Sequence, residues 1–202
     1  QQLRGLAYDV MVITGDFRSA TSGPIDAAVD ATLQIMQHVE RPIFAVLGNH
    51  DFLDMVPPLE AGGIRFLVNE SVAITRGPDA IYLAGVDDNH YYATDDLRRA
   101  TYGIPRDASS ILLAHSPDAY QEAAAHGFDL MLSGHTHAGQ ICLPGGAVIQ
   151  KNVACPRHML NGAWRYEATL GYTSPGTGAT GVPIRFHCPP EITLHTLRTA
   201  GN

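Results

Sequence analysis

Four apolar runs limit what this chain can fold into. They are Tyr8–Thr14, Ile43–Leu47, Ser110–Ala114 and Phe128–Leu132. Each is too short for a helix that buries itself on all sides, and each ends at a turn signal. Runs that are apolar on both faces read as strands covered on both sides, the pattern of parallel sheets. Between the first two, Pro24–Glu40 carries helix marks: Pro near the start, and Ala28, Ala31, Leu33, Ile35 and Val39 along one side. Strand, helix and strand in that order make a parallel crossover unit.

The intervening segments predict short helices over Met55–Ala61, Thr94–Thr101 and Pro117–His126. Strands are predicted at Ile64–Leu67, Ser71–Thr75 and Ile81–Gly85, divided by Gly and Pro turns. After Gln140 the pattern changes. Gly139–Leu143, Tyr166–Thr173, Pro183–Phe186 and Glu191–Leu197 alternate with Gly-, Pro- and Thr-rich loops and read as antiparallel strands of a second sheet. The expected architecture is α/β, with two mixed sheets packed together and helices outside, in one domain over residues 1–202.

Function shows at the strand ends, where ligands bind in sheets of this kind. The four runs end at Asp16, at Asn49-His50, at His115, and at His135 with His137. Alone, Asp16 reads as a capping residue, Asn49 as a turn amide and His115 as a loop histidine. Together they form a mixed oxygen and nitrogen donor set suited to Mn, Fe, Zn or Co. No thiolate takes part; Cys142, Cys155 and Cys188 are widely spaced and read as buried small hydrophobes. His135 and His137, one residue apart, point the same way if the loop is extended, which suits adjacent ions. Two neighbouring ions generate a hydroxide nucleophile for in-line attack and clamp a phosphoryl displacement. Asp16 is the candidate to bridge them, and His50 the candidate to protonate the leaving group.

Weaker candidates surround this set. Arg18 is shaped to meet a phosphate oxygen, with a solvated loop Arg as the equal alternative. Asp88 and His90, in the Asp87–His90 turn, are candidates for a substrate loop, with a polar surface turn as the equal alternative. Met159, Leu160 and Trp164 read either as loop packing or as contacts for an acyl chain. His158, His187 and His195 have no motif around them.

The blocks Gly15-Asp16, Gly48-Asn49-His50-Asp51, His115 and Gly134-His135-Thr136-His137 resemble the signature of calcineurin-like metallophosphoesterases. In the tail, Gly176-Thr177-Gly178, Pro183–Phe186 and Cys188–Ile192 resemble a bacterial subgroup of YaeI/YkuE type. That subgroup includes enzymes that hydrolyse UDP-2,3-diacylglucosamine in lipid A synthesis. The resemblance implies a four-layer α/β/β/α sandwich and a two-metal hydrolase of phosphate esters or pyrophosphates. It implies that Asp16 bridges both divalent ions, that Asn49, His115 and His135 complete one site, and that His137 serves the other. His50 becomes the general acid. A general or cell-wall phosphodiesterase is the enzyme alternative, and a non-catalytic scaffold that binds metal or protein is the alternative of another class.

Two departures stand out. The family's Asp-x-His block has no counterpart before Gly15, and the chain opens on Gln1. The expectation is an N-terminally incomplete sequence lacking the first strand, with the second metal site incomplete in this chain. Ser19 also stands where many members have an Asp that orients the general acid, leaving that task to Asp51 or another residue. A net charge of −7 argues against a nucleic-acid partner. The expected partner is a phosphorylated small molecule or a lipid-linked substrate, with peripheral membrane association an open option. A cytoplasmic or membrane-surface location is expected, with any export signal lying ahead of Gln1.

Overall fold

Successive side chains of a strand point to opposite faces of its sheet, and here that alternation feeds three apolar layers from two sheets. A computed structural model describes residues 5–198. The first sheet holds β1 (Met11–Ile13), β2 (Ile43–Ala45) and β3 (Ile64–Phe66), all parallel. The second runs β10-β11-β7-β6-β5-β4. Its strands are β4 (Glu70–Arg76), β5 (Asp79–Gly85), β6 (Ser110–Leu113), β7 (Leu130–Ser133), β10 (Gly162–Tyr166) and β11 (Thr169–Thr173). The three central pairings, β5 to β6, β6 to β7 and β7 to β11, are parallel; the two outer ones are antiparallel. A small hairpin, β8 (Cys142–Leu143) with β9 (Ala147–Val148), stands apart.

Ile43 and Ala45 of β2 face outward, onto Val29 of α1 (Asp26–Met36) and Leu59 of α2 (Val56–Ala61). The alternate residues Phe44 and Val46 face inward and meet Leu83, Ile111, Leu113 and Leu132 of the second sheet. Ala84, Leu112 and Met131 then point out the far side. There they pack on Leu97 and Ala100 of α3 (Leu97–Ala100) and Ala123 of α4 (Tyr120–Ala125). Helix, sheet, sheet, helix is the four-layer order expected. Each fully buried Leu, Ile, Phe or Met contributes roughly 1.5–3 kcal/mol by leaving water.

Local chemistry sets where the helices start and stop. Asp96 caps α3 by accepting from Arg99 N at 2.9 Å. Helix α4 ends at Gly127 with φ +77°, where Phe128 N donates to Ala123 O and Gly127 N to Ala124 O. That ending places Phe128 in the outer core and launches β7. Helix α1 is shorter than the expected Pro24–Glu40, because His38 and Val39 bond back three residues in tightened turns.

The region after Gln140 departs from expectation. The second sheet is built mainly from β4 to β7, and the tail adds only β10 and β11 to it. The predicted strand Tyr166–Thr173 is broken at Glu167, which has φ +53°. Pro183–Phe186 makes a single bridge, Phe186 to Ile141, and Glu191–Leu197 forms no strand. Alternation reports that a segment is extended; it does not say which sheet edge will take it. Met159, Leu160 and Trp164 are buried in the outer core, so loop packing is their role and an acyl contact is not. Gly171 lies under the Trp164 ring, where any Cβ would clash.

Leu112→Ala should lower the unfolding free energy by about 2–5 kcal/mol, read from urea denaturation, because its site is closed on every side by packed strands and helices.

Candidate metal centre

Both sheets end at one place. Asp16 and Asn49 follow β1 and β2 of the first sheet; His115 and His135 follow β6 and β7 of the second. The ligand-capable atoms of Asp16, His115 and His135 lie within 4.8 Å of one another. His115 Nε2 is 3.0 Å from Asn49 Oδ1, 3.0 Å from His135 Nδ1 and 3.4 Å from Asp16 Oδ1.

Backbone carbonyls set both tautomers. His115 Nδ1–H donates to Thr14 O at 2.6 Å, which leaves a lone pair on Nε2. His135 Nε2–H faces Asn152 O at 3.4 Å, which leaves a lone pair on Nδ1. Two imidazole lone pairs, a carboxylate oxygen and an amide oxygen therefore converge with no proton among them. Such a set is repulsive until something positive enters it. The same repulsion makes the site favour positive charge: burial pulls the His115 imidazole down, but the Asp16 carboxylate outweighs burial and holds it above its ordinary value. Burial pushes Asp16 up, yet its partners His115 and His50 bring it below its ordinary value. Burial, with His115 and His90 alongside, lowers His135 to about 4, so it is neutral near pH 7 and free to donate a lone pair. A divalent cation fits this donor set.

Asp51 holds the cradle. One of its oxygens accepts from Asp16 N at 2.7 Å and Gly48 N at 2.8 Å, and the other from Phe17 N at 2.8 Å. It is nearly fully buried, and burial pushes its carboxyl up to about 6. Of the alternatives for orienting His50, Asp51 is spent on tying the ends of β1 and β2 together. Gly15 has φ +91°, and a Cβ there would stand 2.5 Å from Gly48 N and 2.8 Å from His115 Nδ1. A Cβ on Gly48 would collide with the Asp16 carboxylate.

The loop after β7 is not extended. His135, His137, Ala138, Gly139 and Gln140 all have φ between +49° and +84°. Alternation therefore fails there, and the two imidazoles part company. His135 turns to His115, while His137 Nδ1 lies 3.3 Å from Arg185 Nη2. Burial and Arg185 lower the His137 pKa. Sequence reasoning missed Arg185, which also donates to Pro175 O and Gly178 O, and Gln140, whose side-chain amide binds Thr180 and Val182 backbone groups. Both sit in the tail-to-loop contact, which no local pattern shows.

The remaining candidates divide. His50 N donates to Asp16 Oδ1 at 3.1 Å, and its ring Nδ1 is buried with no partner among the described residues. The His90 ring lies 4.1 Å from that of His135, with Nδ1 3.5 Å from Asp118 Oδ2. Arg18 is not placed for a phosphate. It is buried, it donates to the carbonyls of His50, Ser22 and Gly23, and it lies over the Phe52 ring at 4.5 Å. Asp88 is fully buried too, and accepts from the backbone of His90, Tyr91 and Tyr92. For both, a substrate contact and a loop role were equal alternatives; burial commits each to shaping a loop.

Asp51→Asn should weaken binding of Mn²⁺ on the order of 10–100-fold in titration calorimetry, because an amide cannot accept all three backbone N–H groups that position Asp16 and Gly48.

Comparison with known proteins agrees with this geometry. Residues 1–139 match the family described as Calcineurin-like phosphoesterase. The chain is 35% identical to a cattle protein named "Transmembrane protein with metallophosphoesterase domain", over 96% of this chain and 47% of that protein. It is 30% identical to the uncharacterized metallophosphoesterase YkoQ of Bacillus subtilis, over 94% of this chain and 72% of the relative. It is 29% identical to YkuE of the same organism, over 95% and 68%. The chain thus spans about half the length of the cattle relative. Relatives from vertebrates and bacteria alike widen the bacterial grouping that the tail suggested. The family supports metal-dependent hydrolysis of phosphoesters, and by motif, fold and likeness this chain belongs to the calcineurin-like phosphoesterases.

Proposed function

We propose that the chain hydrolyses phosphodiester or phosphoanhydride bonds, using a divalent cation held by Asp16, Asn49, His115 and His135. The observation that carries this reading is the convergence of two imidazole lone pairs and two side-chain oxygens at the meeting of two sheets. A cation bound there supplies Lewis-acid polarisation of a phosphoryl oxygen and acidifies a water.

The chain's own residues do the rest. His50 is pinned by its backbone on both sides: its N–H on Asp16 and its carbonyl under Arg18. Its Nδ1 is closed off from solvent, so the other ring nitrogen, Nε2, is the one that gives a proton to the leaving oxygen. His90, steadied by Asp118 and packed on His135, offers an N–H to a phosphoryl oxygen. His137 as ligand of a second ion shared with Asp16 is the finer reading from the motif. Arg185 weighs against it by placing a fixed positive charge on the same ring.

The substrate class is a phosphorylated small molecule or a lipid-linked phosphate. UDP-2,3-diacylglucosamine rests on the tail motifs alone, and a general phosphodiester is the broader alternative. The name of the cattle relative, a transmembrane protein, favours a substrate met at a membrane.

The chain supplied with Mn²⁺ should hydrolyse bis(p-nitrophenyl) phosphate. His50→Ala should lower kcat about 10²–10⁴-fold with metal content unchanged, whereas His135→Ala should lose the metal itself. A metal-loaded chain that turns over no monoester, diester or pyrophosphate would end the enzyme reading and leave the scaffold.

A further inference from the structure

Alternation just after the metal loop runs against water. Around β8, Cys142 is buried while Ile141 and Leu143 are exposed. Around β9, Val148 packs inward while Ile149 is exposed. In the segment bridged to Ile141, Arg185 turns in while Ile184 and Phe186 face out. These five apolar side chains are 43–57% exposed. A small sheet with one covered face ordinarily shows polar residues on the other. Here the open face is apolar too, and contiguous faces of that kind mark interaction sites.

Charge says what it meets. In a chain whose net charge is −7, the charged side chains beside this face are cations, Lys151 and Arg157. Lys151 follows Ile149 by two residues, and Arg157 bonds Val148 O at the edge of β9; both are exposed. An apolar face rimmed by cations suits a membrane interface with anionic headgroups. A two-fold contact with a second copy would bring the same cations together from both sides.

We propose that the face formed by Ile141, Leu143, Ile149, Ile184 and Phe186 docks on an anionic lipid bilayer. The covered side of this layer holds the metal loop, since Cys142 Sγ donates to Ala138 O and Cys188 Sγ to His137 O. Docking therefore brings the candidate metal centre to the membrane surface. The surface stands on its own observations and does not depend on the phosphoesterase reading.

The test is co-sedimentation with vesicles of phosphatidylglycerol and phosphatidylcholine, compared with phosphatidylcholine alone. The chain should bind the mixed vesicles more tightly, and added salt should weaken the difference. Leu143→Glu with Phe186→Glu should cut the partition at least ~10-fold. Ile184→Glu alone, in a segment outside the named strands, should act in the same direction. Ile35→Glu, on the exposed side of α1, should change nothing. Turnover of a soluble diester by the same variants reports separately on the catalytic reading and should be retained. No vesicle binding, binding indifferent to the glutamates, or a dimer that the glutamates dissolve would each overturn the proposal.

Discussion

The imidazole of His115 donates from Nδ1 to the Thr14 carbonyl at 2.6 Å, and that bond joins the end of β6 in one sheet to the end of β1 in the other. The ring is almost wholly buried, so the bond is made in a setting where losing it costs more than at the surface. It also settles which nitrogen keeps a proton, and so turns the lone pair of Nε2 toward Asp16, Asn49 and His135. One contact both locks the two sheets in register at their ends and creates the site between them. Gly15 and Gly48 make it feasible, because only residues without a Cβ leave room for His115 to reach across.

Around this contact the chain accepts unfavourable backbone geometry. Asp16, His135, His137, Ala138 and Gln140 all adopt the left-handed region without being glycine. Each such residue costs on the order of 1–3 kcal/mol unless its surroundings over-determine it. The surroundings here are visible: Asp51 grips the backbone at Asp16, and Gln140, Cys142, Cys188 and Arg185 pin the loop after β7 to the tail. Buried polar groups that a reader of the sequence would assign to a ligand are used instead as fasteners. The site is thereby held in place before anything binds.

Some of this was legible from residue order. The strand runs at Ile43–Leu47 and Ser110–Ala114 are visible because β-branched and aliphatic residues occur together over the right length. The residues closing these and the other two apolar runs, Asp16, Asn49, His115 and His135, are visible because strand ends are where ligands gather. The roles of Arg18 and Asp88 were not legible, for a physical reason. Charge suggests a ligand when a residue is taken alone, but a buried guanidinium or carboxylate takes its partners from the nearest carbonyls or N–H groups. The direction of the His137 ring was not legible because alternation assumes extended backbone, and the loop there is left-handed.

The sequence by itself determined the apolar layers and the chemical identity of the donor set, because side-chain periodicity and residue type are local properties. Only the tertiary structure decided that β11 pairs in parallel with β7, that Arg185 meets His137 across 48 positions, and that the hairpin after the metal loop shows an apolar face outward. Those outcomes depend on which sheet edge is open and which carbonyls lie near once the layers have closed. Segment pairing over such separations is settled by packing in space, and the local pattern of residues carries no record of it.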